Sequence, residues 1–503
     1  MYADTIELFR KYMGEKNFQR LKYYDTLSEM WEACSKEYAD LTAVEDDGKA
    51  YTYRQLAGDV AKFRTVLKNN GAERGQRIGI LLPNSYELVK AYLAAATLGC
   101  TAVILPAHLD EKQTFGTKMM FGFTILVTAS PEKAAIIKSK MPDFPVISGE
   151  ESADDTTDAV FGEGSDGAVI IMTGGTTGKP KGALLSNTAV LAGTVNSCLG
   201  CKYVYEQRYL LVLPMSHVFG LIRNVMASLY TGSTLFICRD NRNMFRDAAA
   251  FRPTVMILVP ALADMALTLS KKFGRNMFGP DLKTIICGAA NVPPYLIEEY
   301  NRMGVELLPG YGLTESANLV SGNPENLSKP SSVGIIYPGM EYRIENGELW
   351  LKGKNMMDGY VGCEEQGAYE DGWFRTGDLV KLDEEGFLYI TGRIKEIIVL
   401  PTGENISPAE VEAKFNELSF IQDSQVFEDK DDSDRRFLAL EVVPRETELA
   451  KIEAPDKNAY IVEALHKVNE SLPSFQRVSR IEIRTSDFER TPSMKIVRYK
   501  KCQ

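Results

Sequence analysis

Met172–Gly182 reads MTGGTTGKPKG and directly follows the apolar run Ala168–Ile171. Glycines let a backbone approach an anion closely, and threonine hydroxyls with a lysine supply donors and charge. A strand that opens into such a loop is suited to cradling phosphate. It is not a Walker A loop, because Pro180 rather than Ser or Thr follows Gly178-Lys179 and the glycine spacing differs. Two other chemistry-bearing features read as structural. Cys198 and Cys201 form a C-x-x-C, but no second pair follows at zinc spacing. His217, one of three histidines with His108 and His466, stands beside apolar Val218-Phe219, where a packed imidazole is the ordinary outcome.

Thr173–Gly182 resembles the phosphate loop of the adenylate-forming superfamily: acyl- and aryl-CoA synthetases, luciferases and the adenylation domains of peptide synthetases. Pro214–Gly220 (PMSHVFG), Gly310–Ser316 (GYGLTES), Phe374–Leu379 (FRTGDL), Gly392–Glu396 (GRIKE), Gly403–Pro408 (GENISP) and Arg490–Arg498 (RTPSMKIVR) resemble its other signatures, in order. The match extends from about Thr26 to near the C-terminus. It implies an ATP-dependent acid–thiol ligase: a carboxylate forms an acyl-adenylate with release of pyrophosphate, and the acyl group passes to coenzyme A. ATP, Mg2+ and coenzyme A are the cofactors and co-substrate expected. A fatty acid is the favoured substrate and an aryl acid the second. Loading of a carrier-protein phosphopantetheine is the alternative fate of the acyl group.

Each site residue also has a physical reading. Glu315, in a turn after apolar Val305–Leu308, offers the hard oxygen that Mg2+ takes alongside phosphates. Thr314 can donate to the α-phosphate, and Tyr311 can stack on adenine. Asp378 can accept from both ribose hydroxyls, and Arg393 can reach ribose or phosphate. Alone, a capping Thr-Glu, a core tyrosine and an Asx-turn would explain these residues equally well. The resemblance places Thr173, Gly174, Gly175, Thr176, Thr177, Lys181, Ala289, Gly310, Gly312 and Lys395 with them around the nucleotide. Lys495 is the expected catalytic group of the first step: an ammonium and Mg2+ stabilise the charge spread over phosphoryl oxygens. The resemblance puts His217 at the carboxylate end of the acyl pocket as a positioning or gating residue. Ser216–Phe219 offers no carboxylate for a substrate ammonium, which argues against an amino acid. Val218, Phe219, Leu221, Val225 and Met226 are the pocket candidates. Arg223 could pair with a second carboxylate, but a structural role is favoured. A non-catalytic nucleotide-binding scaffold is the rival class, and intact Lys495, Glu315 and Asp378 speak against it.

Three positions depart from the family pattern: Gly174 stands where relatives have Ser, Leu400–Gly403 alters the loop lining the thiol tunnel, and Met494 replaces a glycine before Lys495. They bear on the acceptor and on loop mobility more than on adenylation.

The elements that must hold these groups alternate through the first two thirds. Apolar runs such as Arg77–Leu82, Thr101–Leu105, Thr124–Thr128, Ala168–Met172, Tyr209–Leu213, Val255–Val259 and Thr284–Cys287 are separated by helical patterns such as Tyr53–Lys68 and Ala261–Lys271. That predicts an α/β fold with large parallel sheets sandwiched by helices. Short alternating strands from about 333 to 392 predict a small β-barrel-like subdomain. A compact, mobile α+β domain is expected over 395–503, after an adenylation domain of 1–394. Ala91–Leu109 lacks charge, but Gly99 and Pro106 make it a buried helix, turn and strand rather than a membrane span.

The chain has 503 residues and a net charge of −11, with no basic face or tail for a nucleic acid. Eight scattered cysteines and an N-terminus without an apolar core lead to an expectation of a cytoplasmic protein with no signal peptide or transmembrane segment.

Overall fold

The computed structural model describes residues 2–173, 181–362, 369–399, 404–431, 435–490 and 496–498. Two large sheets dominate. The first has seven strands in the order Gly359–Val361, Lys181–Ser186, Gly167–Thr173, Thr101–Ile104, Arg77–Leu81, Ile125–Thr128, Val146–Ser148. The second has nine and runs from Ile335–Ile336 through Glu306–Tyr311, Thr284–Cys287, Val255–Leu258 and Arg208–Leu211 to Lys49–Thr52. Their centres are parallel, as expected, and built from apolar runs such as Thr101–Ile104 and Val255–Leu258, buried at every position.

The edges differ from the expectation. Lys181–Ser186 returns antiparallel on Gly167–Thr173, Gly359–Val361 adds antiparallel to it, and Ser321–Gly322 pairs antiparallel with Gly310-Tyr311. These mixed edges matter because the two strands that flank the glycine-rich segment pair antiparallel with each other.

The uncharged Ala91–Leu109 stretch resolves as anticipated. Helix Tyr86–Thr97 is buried on nearly all sides, Gly99 turns at φ +77°, and Thr101–Ile104 is a central strand. Ser85 caps that helix by accepting from the Leu88 N–H at 3.3 Å. Among the described residues no helix is long and apolar enough to cross a membrane.

A five-stranded antiparallel sheet contains Met340–Glu345, Glu348–Gly353, Trp373–Leu382 and Leu388–Arg393. Beyond it, Ile421–Lys430, Arg436–Pro444 and Arg480–Ile483 form a three-stranded sheet. Helices Pro408–Phe415 and Lys457–Ser471 pack a core of their own with it, including Val411, Phe415, Leu440, Ile461 and Leu465. The six described cysteines are all buried and free. Burial pushes the Cys198 thiol up to about 12, which suits packing rather than redox or metal chemistry.

Helix Asn187–Leu199, buried along almost its whole length, supports the turn that carries Glu315. A side chain at Gly193 would collide with the carbonyl oxygen of Ala317. Gly193→Ala is therefore expected to destabilise the fold by about 1–3 kcal/mol, the cost of overpacking a close contact. A lower denaturation midpoint in urea checks this, and an unchanged midpoint would refute it.

Candidate active site

The polypeptide is under strain where the sequence placed its nucleotide residues. Glu315 occupies a single turn, Thr314–Ser316, closed by Ser316, whose hydroxyl donates to the Leu313 carbonyl at 3.1 Å. The chain leaves that turn through Ala317 at φ +47° and Asn318 at φ +94°, left-handed conformations costly for residues with a Cβ. Gly312 lies so close to the Asn318 carbonyl that a Cβ has no room. Ala289 is likewise left-handed, at φ +66°. Such strain persists only where surrounding structure over-determines it.

Three residues distant in sequence meet at Asp378. The Tyr311 hydroxyl, from the end of strand Glu306–Tyr311, donates to Asp378 Oδ2 at 2.5 Å. The Arg393 Nε, from the end of strand Leu388–Arg393, sits 2.8 Å from Oδ1. Asp378 lies inside the ten-residue strand Trp373–Leu382, and its backbone N–H donates to Thr376 Oγ1 at 3.0 Å. Burial raises the carboxyl above the usual aspartate range, while Arg393 and the Tyr311 hydrogen bond pull it back toward the anion. The same burial, together with the neighbouring carboxylate, pushes the Tyr311 phenol well up, so it remains a donor.

A second set joins the hairpin flanking the glycine-rich loop to Glu315. Thr173 and Lys181 face each other at its last described pair. The Lys181 ammonium lies 5.1 Å from the ring centroid of Tyr360, and the Tyr360 hydroxyl donates to Glu315 Oε1 at 2.6 Å. The Met357 N–H donates to the Glu315 carbonyl at 2.7 Å. Tyr360, Met357 and Thr376 escaped sequence reasoning. Tyr360 is 45 residues from Glu315, and only the antiparallel pairing of Tyr360 with Ala183 brings it there.

Among the described residues no cluster of three or more His, Cys, Asp or Glu could hold a metal. A lone carboxylate fits Mg2+, which keeps waters and binds mainly through substrate phosphates. His217 caps the short helix Val218–Gly220, its Nδ1 accepting from the Phe219 N–H at 3.2 Å. The Phe219 ring reaches to 3.6 Å from where a Cβ on Gly288 would stand, and that point is 3.0 Å from the Gly310 carbonyl. Lys395 is exposed in the turn Ile394–Glu396. Gly174, Gly175, Thr176, Thr177, Leu400–Gly403, Met494 and Lys495 lie outside the described residues.

The antiparallel strands flanking the glycine-rich segment, the strained Thr-Glu turn and the buried Asp378 carboxylate are thus drawn from three different sheets. The model of the AMP-binding enzyme family matches residues 31–361, and that of its C-terminal domain matches 395–503. The chain belongs to this AMP-binding enzyme family, within the adenylate-forming superfamily, and is an enzyme of the acid–thiol ligase type. It is 31% identical over 438 residues to an indoleacetate–CoA ligase of Aromatoleum aromaticum, covering 80% of this chain and 85% of that one. The fold is similar to that of an anthranilate CoA ligase in complex with anthranoyl-AMP (TM-score 0.82, 19% identity, covering 95% and 97%). It is also similar to a Bacillus subtilis O-succinylbenzoate coenzyme A synthetase in complex with ATP and magnesium ion (TM-score 0.76, 23% identity, covering 93% and 98%). The expected ATP, Mg2+ and coenzyme A accord with these relatives, whereas the expected fatty acid finds no support in them.

The raised Asp378 carboxyl sets a pH dependence. Ionising it costs stability as pH rises through its folded value, and protonating it would remove the anionic acceptor expected to take ribose hydroxyls. Nucleotide binding, followed by calorimetry, is expected to weaken as pH falls, starting above the range of an exposed aspartate. Asp378→Asn should bind weakly at every pH in that window; a pH-dependent Asp378→Asn would contradict the assignment.

Proposed function

We propose that this enzyme activates a compact aromatic or aryl-substituted carboxylic acid as its adenylate and transfers the acyl group to coenzyme A. In the first step a carboxylate oxygen attacks the α-phosphorus. An acyl–phosphate bond forms, the α–β phosphoanhydride bond breaks, and pyrophosphate leaves. In the second the coenzyme A sulfur, having lost its proton, attacks the acyl carbon, a carbon–sulfur bond forms, and AMP departs.

The roles rest on the motif order and are supported by the geometry at Asp378 and Glu315. Asp378, held by Tyr311 and Arg393, takes the ribose hydroxyls. Lys181, Thr314 and the segment 174–177 face the phosphates, and Gly310, Gly312 and Ala289 let the nucleotide approach the backbone. Glu315 holds Mg2+, which when bound neutralises phosphate charge for in-line attack. His217 orients the acid at the pocket mouth. Lys495 stabilises the α-phosphoryl charge, and Lys395 is the pivot between the two steps.

The observation that carries the substrate class is the contact of Phe219 with Gly288. The Phe219 ring ends 3.6 Å from where a Cβ on Gly288 would stand, and Leu221, Val225 and Met226 are fully buried. A flat acid can stack on Phe219 in what remains, whereas a long chain would have to displace packed core. Arg223 is buried among Tyr209, Cys201 and Tyr337, in keeping with the structural role expected of it.

The test is pyrophosphate release across indoleacetic, benzoic and anthranilic acids and saturated acids of increasing length, with coenzyme A and with a phosphopantetheinylated carrier protein. Aryl acids with coenzyme A should react fastest; turnover confined to long saturated acids, or to the carrier, would overturn the proposal. Phe219→Ala should raise KM for the aryl acid about tenfold and admit longer acids. Lys495→Ala should abolish acid-dependent pyrophosphate release while leaving thioester formation from supplied acyl-adenylate measurable.

A further inference from the structure

Arg445 follows strand Arg436–Pro444 in the C-terminal part of the chain; its guanidinium donates to the Ser419 carbonyl of that part at 3.4 Å and also reaches the N-terminal part. One nitrogen donates to the Tyr295 hydroxyl at 2.5 Å, and that hydroxyl donates to Asp264 Oδ1 at 2.8 Å. The same nitrogen is 3.6 Å from Asp264 Oδ2, and the guanidinium carbon lies 4.1 Å from the Tyr295 ring centroid. Arg445 is 8% exposed, so the contact is shielded and its charge is costly without a partner. The Arg445 backbone N–H donates to the Phe420 carbonyl at 2.7 Å, which ties it to the start of strand Ile421–Lys430.

The place of this contact matters more than its strength. Tyr295 is in the first turn of helix Pro294–Arg302, a few residues after strained Ala289, and Asp264 is near the start of helix Pro260–Phe273. Next to Arg445, Asp423 feels the charge of Asp264 and is ion-paired with Arg490. Arg490 bridges to Ile496, so the two flanks of Lys495 are anchored at the same corner. Contacts close to Lys395 also join the two parts: the Ser407 hydroxyl to the Thr391 carbonyl at 2.6 Å and Lys381 to Glu410 at 3.3 Å. Contacts beside a pivot survive a rotation, and those remote from it in sequence and fold must break.

We propose that Arg445 is a positioning residue for the adenylation step, holding residues 404–498 against Tyr295 and Asp264 so that the flanks of Lys495 face the acid site, and that the contact releases before the thiol step. The inference rests on the two-step reading above. It assigns Arg445, Tyr295 and Asp264 no contact with substrate.

The two half-reactions separate this role from a purely structural one. Arg445→Ala and the milder Tyr295→Phe should slow acid-dependent ATP–pyrophosphate exchange, Arg445→Ala by about tenfold, the scale of one charge-assisted hydrogen bond. Thioester formation from supplied acyl-adenylate should be unchanged or faster. The charge-reversed pair Asp264→Arg with Arg445→Asp should recover part of the exchange lost by either alone. In the full-length protein, amide hydrogen exchange in Pro294–Arg302 should rise in Arg445→Ala. Equal loss of both half-reactions, no loss of exchange, or unaltered amide protection would overturn the proposal. A wild-type enzyme without pyrophosphate exchange would sink the functional reading, and the amide measurement would still decide the contact.

Discussion

Burying a carboxylate is costly unless its charge is matched, and Asp378 is matched by groups from two other parts of the chain. Tyr311 comes from the nine-stranded sheet, Asp378 from the five-stranded sheet, and Arg393 from the strand that leads to Lys395. Losing Asp378 removes the partner of both other groups, and losing Arg393 leaves the buried carboxylate with the Tyr311 hydroxyl but no counter-charge from that arginine. The site therefore exists only when the two sheets are docked and the last strand of the N-terminal part is in register with Trp373–Leu382. In the proposed reading the same carboxylate takes the ribose hydroxyls, so the interaction that joins the sheets is also the one a nucleotide would share or replace.

Around that anchor, the backbone carries the remaining specificity. Ala289, Ala317 and Asn318 are held left-handed without being glycine, and Gly312 is where only glycine fits. In the proposed reading these positions bring main-chain groups close to the nucleotide. Strain of this kind needs a rigid support. Helix Asn187–Leu199 supplies it by packing Gly193 directly against the Ala317 carbonyl.

Much of this was legible in the sequence, for identifiable reasons. Central strands such as Thr101–Ile104 announce themselves because parallel strands buried on both faces are continuous apolar runs. The motif glycines and the Thr-Glu turn announce the site because close backbone approach restricts residue type. The return strand Lys181–Ser186 did not, since KGALLS, one strand in from the sheet edge, has neither a full apolar run nor a clean alternation. Asp378 read as a residue after a turn and proved to lie within a strand whose register shifts between Leu379 and Val380. Tyr360 and Arg445 had no local signal: each acts on a residue 45 or more positions away.

The acid pocket shows where composition misleads. Leu221, Val225 and Met226 follow His217 with the apolar character of a tunnel wall, and that character suggested a fatty acid. Apolar side chains line tunnels and fill cores alike, and only packing separates the two. Here the chain makes a π-helical turn over Leu221–Met226, which widens the helix and turns those side chains into the interior. Phe219, one turn earlier, then meets Gly288, where the absent side chain leaves room for an aromatic face. A glycine opposite an aromatic ring is a poor start for a long channel and a good one for a slot. The packing around His217 thus follows from a helix irregularity that periodicity could not reveal, and in the proposed reading it is that packing, rather than apolarity, that favours a flat acid.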